Sequence, residues 1–335
     1  MGRFNPAQVI FAPTARCNLA CGHCRVDRAR GQRPGENELD AIDALRFLNE
    51  CAEHGIDRVG FSGGEPFLKP DFLVSIIRAS CENSQLFDRL MTNGDWWDTE
   101  DTLNQTLLRL AEAGFDGTIG LSVDSWHTQE PERLAVFIRA VLSTFGRGDC
   151  CEIISVMNDQ QLPDTPRLCA LADLLCAGLV MEDGVILRIE DTRWKENRRR
   201  GIDDGTGILI PVLTLPRSRG PCEAGAWDDA RWFTDDWCEG PGQIWFVHPD
   251  GQVAVCCGFA NERPELIAGS ITDGYDTLLK NAQDKPHIRA CYEKGLGTLR
   301  CEMEKAGMQF PGKTADICFF CDWLCQNRTT GDILK

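Results

Sequence analysis

From residue 7 to about residue 190, short apolar runs alternate with longer amphipathic ones. The short runs predict strands at Ala7–Phe11, Arg58–Phe61, Arg89–Met91, Gly117–Ser122, Cys151–Val156 and Val185–Ile189. The longer ones predict helices at Glu38–Ala52, Asp71–Cys81, Thr99–Ala113, Glu132–Thr144 and Asp164–Ala177. In the first helix Leu45, Leu48, Asn49 and Ala52 follow the spacing of one helical face, apolar at three of the four positions. Gly55, Gly114 and Gly178 each follow a predicted helix, where C-terminal caps are expected. Strands separated by helices pair in parallel through right-handed crossovers, so the chain is α/β. An open doubly wound sheet and a full or partial α/β barrel both fit. The first strand is not followed by G-x-G-x-x-G, which counts against a dinucleotide fold.

After residue 200 this alternation fades. Residues 201–221 are rich in Gly and Pro, and a linker is expected at 206–221 between a domain at 1–205 and another at 222–335. The second domain carries nine of the 18 cysteines and five of the nine tryptophans, a composition suited to stability drawn partly from metal ligation.

The formal charge of −16 makes broad nucleic-acid binding a poor fit, because phosphates need a positive field. No apolar run approaches the roughly 18 residues of a membrane span. The first residues lack the apolar core of a signal peptide, so a cytoplasmic location is expected. Reduced thiols clustered in such a chain point to metals or redox chemistry. Histidines number only five and form no H-x3–5-H pair, which leaves thiolates as the main ligands.

Three constellations carry chemistry. Cys17, Cys21 and Cys24 follow the first strand with C-x3-C-x2-C spacing and can converge on one metal centre. A cubane on three thiolates leaves one iron open, whereas a zinc site would need a fourth ligand, with His23 nearest. Gly63, Gly64 and Glu65 follow the second strand in a G-G-E-P turn, where backbone can approach a ligand and a carboxylate can meet an ammonium. An ordinary βα turn is the alternative. Near the C-terminus, Cys238 and Cys256 are set as C-x12-G-x4-C around Gly251, and Cys318, Cys321 and Cys325 follow as C-x2-C-x3-C.

The first two motifs, in this order, resemble the radical S-adenosylmethionine (SAM) superfamily over roughly residues 7–190. The resemblance implies a partial (β/α)6, TIM-like barrel. It also implies that Cys17, Cys21 and Cys24 hold a [4Fe-4S] cluster whose open iron chelates the methionine end of SAM, with Gly63, Gly64 and Glu65 at the SAM amino group. Asn93, Ser122 and Asp124 fall at carboxyl ends of strands, where α/β barrels build their sites, and look like the family's SAM-contacting segments. Ser122 and Asn158 are expected near the SAM ribose or carboxylate; helix caps or turns are the plainer alternative.

The C-terminal cysteines resemble the auxiliary-cluster domains of that superfamily, in the long SPASM or shorter twitch version. This implies one auxiliary [4Fe-4S] cluster on Cys238, Cys256, Cys318 and Cys321. Cys222 and Cys325 are substitutes or ligands of a second auxiliary cluster, because Cys325 departs from the SPASM spacing. A zinc ribbon on the same cysteines is the alternative. Cys51, Cys81, Cys169 and Cys176 read as small buried hydrophobes, while Cys150, Cys151, Cys257, Cys291 and Cys301 have no assignment.

The resemblance implies a low-potential electron donor such as flavodoxin or ferredoxin. It also implies hydrogen abstraction by a 5′-deoxyadenosyl radical, with electron transfer to the auxiliary cluster favouring net oxidation. A small-molecule substrate is expected, since the first strand begins at residue 7; a peptide or protein substrate is the alternative. A non-catalytic iron–sulfur carrier or sensor is the rival from a different class.

Overall fold

A computed structural model describes residues 3–21, 24, 38–156, 164–180, 185–189, 208–215, 225–234, 243–258 and 260–327. The chain divides into two compact units. One comprises residues 13–41 and 59–217; the other comprises 1–12, 42–58 and 218–335.

In the 13–41/59–217 unit, β2 (Arg58–Phe61), β3 (Leu86–Thr92), β4 (Thr118–Ser122) and β5 (Cys151–Val156) are adjacent in that order. The sheet continues through β8 (Ile208–Leu215), β7 (Val185–Ile189) and β6 (Ala177–Val180). The pairs β3–β4, β4–β5 and β5–β8 are parallel. The connecting helices are α2 (Pro70–Glu82), α3 (Glu100–Ala113), α4 (Pro131–Phe145) and α5 (Thr165–Leu175). Each buries one stripe. In α4, Leu134, Phe137, Ile138 and Val141 are wholly buried, the i, i+3, i+4, i+7 set that one helical face requires.

Three expectations are corrected here. Val185–Ile189 is a strand but not the sixth parallel one, since β7 runs antiparallel to β8 and β6. The parallel neighbour of β5 is β8, inside the expected linker at 206–221. Gly178 is no helix cap: it pairs with Arg188 in the sheet, and Cys176 takes the left-handed position after α5.

In the other unit the strand order is β11 (Ile267–Ser270), β10 (Gln252–Ala254), β9 (Ile244–Val247) and β1 (Gln8–Phe11), with β1 and β9 parallel. Helix α1 (Ala41–Glu53) buries Ala44, Phe47, Leu48 and Cys51, one step round from the face expected from Leu45, Asn49 and Ala52. After β11 come α6 (Tyr275–Asp284), α7 (Pro286–Arg289), a π-helical turn at Ala290–Lys294, α8 (Leu296–Lys305) and α9 (Ile317–Gln326). Among the described residues, Trp227, Trp232 and Trp323 pack into a hydrophobic cluster. Trp227, Phe233 and Phe320 are buried, with Trp232 and Trp323 against them and the Arg300 guanidinium 4.9 Å from the Trp232 ring centre. Among the described residues no helix is long and apolar enough to cross a membrane.

Candidate functional site

The loop after β1 and the turn after β2 are joined main chain to main chain. Gly64 N donates to Thr14 O at 2.9 Å and Glu65 N to Arg16 O at 2.7 Å. A Cβ at Gly64 would lie 2.1 Å from Arg16 O, so only glycine lets the two segments meet. On its other side the cysteine-bearing loop is held by Glu38, which accepts from Arg16 Nη1 at 3.2 Å and Lys69 Nζ at 2.8 Å. The Lys69 hydrogen bond is the main reason that the Glu38 carboxyl is lowered from its ordinary range.

Glu65 points inward. Its carboxylate is fully buried and accepts from Phe67 N (3.1 Å), Thr92 Oγ1 (2.9 Å) and Asn93 N (2.8 Å). Burial raises its pKa to about 7, against the pull of the Asn93, Phe67 and Thr92 donors and of His127. The side chain expected at a ligand ammonium is thus engaged in tying the G-G-E-P turn to the end of β3.

The end of β3 reaches back to the cysteines. Asn93 Nδ2 donates to Asn18 Oδ1 at 2.8 Å and lies 3.5 Å from Cys17 Sγ, which also accepts from Leu19 N at 3.4 Å. Asn18 Nδ2 donates to Asp95 O at 2.9 Å. Cys21 is buried, Cys17 and Cys24 are exposed, and Cys24 N donates to Cys21 O at 3.2 Å.

After β4, Asp124 is fully buried and occupied by protein donors: Trp126 N, His127 N and His127 Nδ1 on one oxygen, Val156 N on the other. His127 also hydrogen-bonds Cys21. Burial opposes its charged form, but the Asp124 and Cys21 interactions outweigh this and push it up to about 9. Ser122 meets the site through its main chain: Gln129 Nε2 donates to Ser122 O at 3.0 Å and Asn93 O at 2.8 Å. His127 and Gln129 were not singled out in the sequence. The available signal was a histidine three residues after Asp124, placed where one turn lets both side chains meet. Asn158 and His23 lie outside the described residues.

In the unit with residues 218–335, Cys256, Cys291, Cys318 and Cys321 line one cavity with Val255, Leu266, Tyr292 and Ile317. Cys291 Sγ and Cys321 Sγ are 4.0 Å apart. Hydrogen bonding to Cys291 is the main cause holding the Cys321 thiol well above its ordinary range. Cys325, one turn further along α9, hydrogen-bonds Cys321. Cys222 and Cys238 lie outside the described residues. Among the described residues no group of three His, Cys, Asp or Glu side chains is already set for a metal ion. Of the cysteines expected to be buried in helices, Cys51 is buried, while Cys81, Cys169 and Cys176 are exposed; Cys150 and Cys151 are buried.

The family model described as the radical SAM superfamily matches residues 11–144, the segment that contains both loops. Residues 11–144 are a radical SAM domain. The family implies a [4Fe-4S] cluster, SAM and a reductant, and the donor set here fits them: three thiols in one loop, hydrogen-bonded to a glycine turn that admits close backbone approach.

A probable GTP 3′,8-cyclase from Methanopyrus kandleri is 40% identical to this chain over 119 residues, 35% of this chain and 34% of that protein. The GTP 3′,8-cyclase of Mycobacterium marinum is 29% identical over 231 residues, covering 64% and 61%. The PqqA peptide cyclase of Methylorubrum populi is 38% identical over 97 residues, covering 27% and 24%. The chain thus spans between a quarter and about three-fifths of these relatives.

Among solved structures, Streptococcus suis SuiB bound to S-adenosylmethionine superposes with a TM-score of 0.52 at 16% identity, over 94% of this chain and 77% of SuiB. Native anSMEcpe with bound AdoMet gives 0.50 at 14% identity, over 98% of both chains. These likenesses show the fold: α/β, of the TIM-like partial-barrel kind.

Proposed function

We propose that the chain is a radical SAM enzyme that carries out a net oxidation of a small molecule. In this reading Cys17, Cys21 and Cys24 hold the [4Fe-4S] cluster, and SAM lies against Gly63, Gly64, Asn93 and Ser122, with Asn158 as a further contact. When bound, the cluster and SAM would supply the chemistry, reductive cleavage of SAM with an electron from a flavodoxin or ferredoxin and radical hydrogen abstraction from the substrate.

The protein's part is positional. Gly64 keeps the cysteine loop and the glycine turn in register. Glu65 and Asp124 act as buried struts that fix the ends of β3, β4 and β5 around that space. Loss of a second electron and a proton from the substrate completes the oxidation. The proposed electron acceptor is an auxiliary [4Fe-4S] cluster with Cys256, Cys318 and Cys321 among its ligands and Cys238 as the fourth expected from the sequence.

The observation that carries the reading is the locked pair of loops, Thr14–Arg16 on Gly64–Glu65, inside the matched segment. A small-molecule substrate is favoured because the match covering 64% of this chain is to a GTP cyclase, against 27% and 39% for two PqqA peptide cyclases. The second reading, a peptide substrate, rests on those shorter matches.

Anaerobic turnover with dithionite tests the proposal. The reconstituted chain should form 5′-deoxyadenosine, and Cys17→Ala/Cys21→Ala/Cys24→Ala should abolish it. A chain that holds iron yet shows no SAM affinity by anaerobic calorimetry would instead be an electron carrier.

A further inference from the structure

The sequence offers no reason to attend to Cys291, which belongs to no short cysteine motif. The fold gives it a specific place. It sits on the π-helical turn Ala290–Lys294, where Gly295 N donates to Ala290 O at 2.9 Å, the wide i to i+5 closure. Such single turns interrupt helices at a cost and recur at functional sites. The turn is stitched to the other elements that carry cavity cysteines. Tyr292 Oη donates to Val255 O at 2.9 Å, next to Cys256, and His287 Nε2, on the preceding helix, lies 3.2 Å from Leu324 O on α9.

The side chain that these contacts deliver is buried and 4.0 Å from Cys321 Sγ. The other residues lining the cavity it shares with Cys256, Cys318 and Cys321 include Val255, Leu266, Tyr292 and Ile317. Gly258 leaves it open: a Cβ there would stand 3.3 Å from Cys318 Sγ and 3.5 Å from Cys256 Sγ. Protein interiors are close-packed, so a space lined by four thiols is suited to an occupant that thiolates bind.

We propose that Cys291 is a thiolate ligand of the C-terminal iron–sulfur centre, joining Cys256, Cys318 and Cys321. The assignment rests on the reading that this unit holds a cluster. Cys325, which hydrogen-bonds Cys321 but does not line the cavity, is left outside the ligand set.

The test uses the full-length Cys17→Ala/Cys21→Ala/Cys24→Ala chain, so that only the C-terminal centre is seen, reconstituted anaerobically with iron and sulfide. Adding Cys291→Ala should lower bound iron at least twofold, or keep the iron while making the reduced electron paramagnetic resonance spectrum sensitive to added cyanide through a newly open iron. Cys291→Ser, closer in volume, guards against a packing defect; with native-like circular dichroism it should give the same altered spectrum. A Cys291→Ala protein with the parent's iron and a cyanide-insensitive spectrum would overturn the assignment. Failure of the underlying reading looks different: the triple-alanine parent itself would bind no iron.

Discussion

A carboxylate as deeply buried as Glu65 must show itself in the pH dependence of stability. Its pKa rises from the ordinary 4.5 to about 7 on folding, chiefly through burial, so the native state holds the proton more tightly than the unfolded chain does. The contribution is fully present below pH 4.5 and is lost as pH rises through 7. Relative to Glu65→Gln, the native protein should therefore lose up to about 3 kcal/mol across that window. Denaturant unfolding at a series of pH values checks this, and parallel profiles for the two proteins would refute it. Gly64 makes a different demand, steric rather than electrostatic. The atom a methyl would strike is main-chain Arg16 O, which cannot rotate aside. Gly64→Ala should strain or break two loop-to-loop hydrogen bonds, costing about 1–3 kcal/mol, and weaken SAM binding with it. Gly55→Ala is the control: its φ of +82° brings strain, but no atom lies within 4 Å of the added Cβ, and SAM affinity should not change.

At the scale of elements, one buried ion pair fastens the cysteine helix to the loop before β11. Asp322, fully buried between Cys321 and Cys325 on α9, accepts from Arg263 Nε at 2.6 Å, Arg263 Nη2 at 3.2 Å and Gln326 Nε2 at 2.7 Å. Asp322→Ala leaves three donors without their acceptor. Part of the guanidinium is exposed and can find water, so the loss should be nearer about 2–3 kcal/mol than the 3–5 of a wholly buried pair. Thermal unfolding should show the loss, and iron bound by the C-terminal unit should fall with it. The same region shows why sequence patterns stop where they do. The 3, 4, 7 periodicity of Leu134, Phe137, Ile138 and Val141 marks α4 directly, because one face meets one core. Ile208–Leu215 is as apolar as a strand, but Pro211 and glycine-rich flanks make it read as a linker. The proline is accommodated because the β5 ladder starts one residue later, at Val212, leaving Pro211 opposite Ile186 of β7. Cysteines 17, 21 and 24 announce themselves by spacing. Cys291 cannot, since the cysteines that share its cavity lie 27, 30 and 35 residues away in the sequence.

For the whole molecule, the number of clusters separates the readings that remain. Two cubanes of four irons each predict about eight irons and eight sulfides per chain after anaerobic reconstitution. Cys318→Ala/Cys321→Ala should retain about four. It should still form 5′-deoxyadenosine without substrate, because the thiols of Cys17, Cys21 and Cys24 belong to the other compact unit. It should also unfold at lower temperature, since ligation in a unit with long connections is part of the folding free energy. About twelve irons would bring Cys222 and Cys325 into a third cluster, and about four irons with one zinc would make the C-terminal site a ribbon. A variant that loses four irons and SAM cleavage together would mean that the two centres are coupled, and the C-terminal one could no longer be assigned to the oxidation step alone.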